Sequence, residues 1–231
     1  MLVTGAPQFP AQDDSGHGDG IDPIVQWQMV PASPPDAEAS FTEVELDPAV
    51  DNILTRLRYI FHQQQRTRLS TNELHDLTCF VVHKLLLLPP FLPAHGQRSN
   101  VSECLRYALV LYMLAIHGTT YYHHEALKGG VVSRLQTHLA AAQSSNSHSS
   151  NSSSSTALGF WMLFVSAVAV PSCGLFRDLA AETAAKLGFR TWEDARAGLE
   201  SVLWTGTGGE EAFRRVWDEI NNGSSAPTAM K

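Results

Sequence analysis

From Asp47 onward the apolar residues recur at three- and four-residue intervals, the period of helices packed on a core. Val50, Ile53, Leu54, Leu57 and Phe61 mark one face behind Asp47-Pro48, an N-cap acid followed by proline at the first helical position. Ser70 with Glu73 three residues on predicts a capping box. It opens a helix carrying Leu74, Leu77, Val81, Leu85 and Leu88, which Pro89-Pro90 stops. Asn100 with Glu103 predicts a third start. There Leu105, Ala108, Leu109, Tyr112, Met113 and Ile116 keep the helical period, while Val110, Leu111 and Leu114 fill the other side. A helix apolar all round belongs at the centre.

A further helix is expected over residues 121–143, weakened or broken at Gly129-Gly130, since glycine costs about 1 kcal/mol relative to alanine. The Ser/Asn-rich stretch 144–156 predicts a flexible insert. A core helix over 157–170 follows, then one over 175–187 with Gly188 as its left-handed C-terminal residue. Thr191 and Asp194 cap the next, whose stripe is Trp192, Ala195, Leu199, Val202 and Leu203. Gly206, Gly208 and Gly209 form a turn before a last amphipathic helix with Phe213, Val216, Trp217 and Ile220. Strand alternation is missing throughout. The class is all-α, an irregular multi-helix bundle.

Residues 1–46 have a different composition, rich in Pro, Gly, Asp and Ser with scattered Phe9, Ile24, Val25, Trp27, Met29 and Phe41. Such a segment buries too little apolar area to offset the entropy of ordering, so it is expected to be a disordered acidic tail. Residues 47–222 then form the helical domain, and 223–231 a C-terminal tail expected to be disordered. The formal net charge of −7 is concentrated in the N-terminal tail, because no Lys or Arg precedes Arg56. The body is mildly positive, yet its basic residues do not cluster beyond Arg214-Arg215, which argues against a nucleic-acid face.

Three widely spaced cysteines, Cys79, Cys104 and Cys173, each sit in an apolar run and predict buried reduced thiols in an intracellular protein. The opening residues lack the basic and apolar regions of a secretory signal. The apolar stretch 157–170 is shorter than the ~20 residues of a bilayer span.

The chemistry-bearing residues predict no catalytic, cofactor-binding or metal-ligating set. Among the ten histidines, His117, His123 and His124 cluster with His138 one helix onward, but without the spacing or cysteine pairs of a zinc site. The TGTGGE run lacks the Lys-Ser/Thr of a phosphate loop. Glu210-Glu211 and Asp218-Glu219 flank one short helix as solvated acids. Trp161, Trp192, Trp204 and Trp217 fit core packing. Arg106, a lone charge on an apolar helix, is expected to find a structural partner. These residues predict a non-enzyme with no cofactor.

Order and spacing carry one resemblance. Cys104-Leu105-Arg106-Tyr107 opens a helix, Trp161-Met162-Leu163-Phe164 follows, and then Leu187-Gly188 precedes Thr191-Trp192-Glu193-Asp194-Ala195-Arg196. With Leu203-Trp204 and Arg215-Val216-Trp217, residues 47–222 resemble the C-terminal regulatory helical domain of fungal zinc-cluster transcription factors. The resemblance implies transcription regulation in the nucleus, exerted through protein partners such as transcription machinery or a zinc-cluster factor. Such factors also carry a six-cysteine zinc cluster beside a basic linker. This chain has no cysteine before Cys79 and no basic run, so direct sequence-specific DNA binding is not expected. Two alternatives stay open: a helical interaction scaffold unrelated to transcription, and a module sensing a small apolar metabolite.

Overall fold

The computed structural model describes residues 22–30, 46–63, 69–89, 97–117, 125–145, 156–205 and 209–223. Within them the chain is all-α and no strand occurs. In chain order the helices are α1 (Val25–Gln28), α2 (Pro48–Gln63), α3 (Thr71–Leu87), α4 (Gln97–His117) and α5 (Glu125–Ser145). They continue as α6 (Ala157–Ala169), α7 (Gly174–Leu187), α8 (Trp192–Val202) and α9 (Glu210–Gly223).

Two helices with no polar face form the centre. Residues 102–114 of α4 and 158–169 of α6 are buried on every side. Each fully buried aliphatic side chain contributes about 1.5–3 kcal/mol relative to exposure. Around this pair, α2, α3 and α5 pack on α4, whereas α7, α8 and α9 pack on α6. The outer helices bury single stripes: Leu127, Val131 and Leu135 from α5, and Phe213, Val216, Trp217 and Ile220 from α9.

Local signals set most of the helix ends. Asp47 Oδ1 accepts the Ala49 amide at 2.8 Å at the start of α2. The Ser70–Glu73 and Thr191–Asp194 capping boxes both form. Gly188 adopts φ 74°, and the amides of Gly188 and Phe189 donate back to Ala185 and Ala184. That is the Schellman ending, which needs a left-handed residue there.

Four expectations are corrected. The tail 1–46 is not unstructured throughout, because residues 22–30 form a docked turn that buries Ile24, Trp27 and Val30. The remainder of that tail, residues 1–21 and 31–45, lies outside the described residues. Helix α4 starts at Gln97 rather than Asn100, and Glu103 is not a cap but a buried partner of Arg106. Helix α5 runs unbroken through Gly129 and Gly130, since its Leu127–Val131–Leu135 stripe is held on α4. Finally, Ser144 and Ser145 complete α5 and Thr156 caps α6 by accepting the Gly159 amide. Of the expected insert only 146–155 lies outside the described residues, as do 118–124, Gly206 and Gly208 of the expected turn, and the C-terminal residues 224–231.

Candidate partner-docking site

The polar groups that the fold draws together are held in structural roles. Arg106 is almost wholly buried on α4 and faces the carboxyl end of α3. Its guanidinium donates to the carbonyls of Leu85 at 2.7 Å and Leu88 at 2.6 Å, and more loosely to those of Leu86 and Pro89. The same group meets the buried Glu103 carboxylate at 3.3 Å. The last carbonyls of a helix have no intrahelical donors, and α3 ends where Pro89-Pro90 prevents continuation. Arg106 thus caps α3 from a neighbouring helix, with Glu103 balancing its charge.

Of the histidines, His117 meets not His138 but His75, with His75 Nδ1 and His117 Nε2 sharing a hydrogen bond at 3.0 Å. Cys79 Sγ lies 3.7 Å from His75 Nε2, one helical turn along α3. Burial and the Asp76 carboxylate push the Cys79 thiol pKa upward, which disfavours the thiolate a nucleophile requires. His138 stacks on Tyr107 and meets Asn100 at 3.2 Å. His123 and His124 lie outside the described residues. Among the described residues no group of three or more metal-ligating side chains gathers. Cys104 is buried beside Glu103, and burial pushes its thiol pKa to about 12.

The tryptophans pack as the helical spacing predicts. Trp161 lies against Tyr112, and its indole N–H donates to the Leu203 carbonyl at 2.7 Å. Trp217 packs on Phe164, and Trp204 bridges Trp192 and Phe213 edge to face. The acids flanking α9 are solvent-facing ion-pair partners, Glu210 of Arg196, Glu211 of Arg215 and Glu219 of Arg177.

The composition-based reading missed the residues that recognise another segment. Four helical residues have no stability of their own in water, so α1 exists only because it docks. Trp27 is fully buried and sets its ring edge to face on Phe80 of α3, centroids 5.0 Å apart. The Arg56 guanidinium of α2 lies 5.3 Å above the indole, at cation–π distance. It also donates to the Trp27 carbonyl at 3.0 Å, and Asn52 steadies it. Gln26 donates to Glu73 at 2.7 Å, while the other Glu73 oxygen completes the α3 capping box. Ile24 and Val30 flank Trp27 in the groove, and Val25 and Met29 remain solvent-exposed. The signal was available as Ile24-x-x-Trp27-x-x-Val30, one face of a helical turn, although nothing local names the groove that receives it.

Among the described residues, no helix is long and apolar enough to cross a membrane. No family model, curated protein or solved structure matches this chain.

Proposed function

We propose that the chain is a non-enzymatic regulatory helical domain of the transcription-effector kind. It acts in the nucleus through protein partners and carries no DNA-reading element of its own. The observation supporting this reading is the seating of a tryptophan-bearing turn against Arg56 of α2 and Phe80 of α3. A body that recognises an aromatic turn by one deep indole, an arginine and backbone contacts uses the usual means of helix-in-groove recognition. The buried Arg106, Glu103 and His117 are meanwhile engaged in capping and pairing. The metabolite-sensor alternative has no such contact behind it, and Trp161 is fully buried with its indole N–H on the Leu203 carbonyl. A scaffold unrelated to transcription shares the docking observation, and the experiment separates the two.

The full chain, fused to an unrelated DNA-binding module, is placed at a reporter promoter. Reporter output several-fold above or below the module alone is expected. Unchanged output with normal protein levels would leave the scaffold reading in its place. A companion anisotropy titration uses labelled duplex DNA at about 0.15 M salt, where charges are screened beyond about 8 Å. Submicromolar discrimination between a duplex and its scrambled form would overturn the indirect role.

A further inference from the structure

We infer that the α2–α3 groove is an exchangeable peptide-docking site, which residues 22–30 occupy in cis until a tryptophan-centred helical turn of a partner replaces them. This inference rests on the proposed partner-binding role and names the chemistry of the partner. Three observations carry it.

The first is the form of the occupant. Residues 22–30 contribute one four-residue helix whose deep contacts come from Ile24, Trp27 and Val30. Among the described residues, every other helix spans at least eleven residues. Opening so short an element disrupts few backbone hydrogen bonds, whereas opening α3 or α4 breaks the core. Stability within one fold is graded in this way, and peripheral turns lie at its lower end.

The second is the connection. Fifteen residues, 31–45, join Val30 to the next described residue, Leu46. The turn and its groove therefore belong to one chain, and docking is an intramolecular step. A segment on the same chain has a higher effective concentration than the same segment free in solution. The cis occupant is therefore favoured at ordinary protein concentrations, but a better-fitting segment from elsewhere can displace it.

The third is charge. The first 51 residues hold ten acidic residues and no Lys or Arg, and of those acids the docked segment 22–30 carries one, Asp22. The groove offers Arg56 over the Trp27 ring and Lys84 5.9 Å from the Phe80 centroid. Its walls thus set two cations beside aromatic rings, and they also hold Glu73, which accepts from Gln26 of the occupant at 2.7 Å. An incoming segment needs aliphatic residues three positions before and after its tryptophan, and a side-chain donor just before it to meet Glu73.

The test uses the intact 231-residue chain. A fluorescein-labelled peptide with the sequence of residues 19–32 is titrated with wild type and with Trp27→Ala, which vacates the groove. Binding to Trp27→Ala about tenfold or more tighter than to wild type is expected, because the mutation removes a competitor present at high effective concentration. Adding Phe80→Ala to that variant, or replacing the peptide tryptophan by alanine, should abolish the signal. Equal binding to wild type and Trp27→Ala, or no binding to either, overturns the inference while leaving the reporter experiment to judge the regulatory role. Hydrogen exchange on the wild-type chain provides a readout free of mutation. The amides of Trp27, Gln28 and Met29 should exchange well ahead of α3 and α4. Exchange together with the core, or global unfolding of Trp27→Ala, would make the turn a core element and sink the proposal.

Discussion

Arg106 shows how much one residue can carry when its surroundings are dry. A buried guanidinium is costly to desolvate, and only several charge-assisted contacts at once offset that cost. Here four carbonyls and one carboxylate supply them. Arg106→Leu leaves Glu103 buried without its cation and strips donors from the end of α3. The expected loss is about 3–5 kcal/mol, the scale for breaking a buried pair from one side. Urea unfolding measures it. Arg106→Met combined with Glu103→Gln should recover part of the loss, because the second change removes the stranded charge. A single-variant loss no larger than that of a surface ion pair would show that the pair is solvated in solution. The sequence exposed the problem of a lone charge on an apolar helix, but not its solution. The recipient carbonyls lie 17 to 21 residues away along the chain.

At the scale of elements, glycines of the same local type differ in sign. Glycine inside a helix costs roughly 0.5–1 kcal/mol relative to alanine through the entropy of the unfolded chain. Gly129 and Gly130 sit within α5, and a β-carbon added at either would meet nothing within 4 Å. Substituting either by alanine should raise stability by about that amount. Gly198 lies within α8, where a β-carbon would fall 2.7 Å from the Phe189 ring. That ring is itself set edge to face on Phe160. Gly198→Ala should therefore lower stability despite its better helix propensity, because the ring must shift out of a packed position. Parallel melting curves decide between these outcomes, and a stabilised Gly198→Ala would show that the ring moves freely. Propensity is local and could be judged from the sequence. The approach of a phenyl ring nine residues earlier could not.

For the whole molecule, the titrating groups predict a two-stage loss of stability on acidification. His83 is fully buried, and burial holds its pKa below the ordinary 6.5. The unfolded chain then takes up that proton first, so stability declines as pH falls from about 6.5 towards the folded value. Glu73 and Asp194 behave differently. Hydrogen bonds from Ser70, and from Arg190 and Thr191, lower their pKa values below the ordinary 4.5 and 3.8. Their contribution is complete above those values and is lost as pH falls through the lower, folded ones. Asp51 opposes this second stage slightly, since burial raises its pKa. Denaturation midpoints from about pH 8 to about pH 3 should show both stages in the parent chain. His83→Gln should flatten the first and leave the second. Parallel curves for the two proteins between about pH 7 and about pH 5 would remove His83 as the cause.

The sequence by itself determined the fold class, most helix positions and most of their ends. These features depend on contacts within one or two turns: apolar period, capping side chains, a left-handed glycine and proline stops. Ser70, Glu73, Gly188, Thr191 and Asp194 do in the structure what their spacing predicts. Tertiary structure decided what depends on groups distant along the chain. It placed Glu103 against Arg106 rather than at a helix start, and it kept α5 continuous across two glycines because one face is held on α4. It also gave Trp27 a groove. Composition predicts disorder around that residue because a short segment cannot bury enough surface on itself. Arg56 and Phe80 supply the missing surface from helices that begin more than twenty and more than forty residues later.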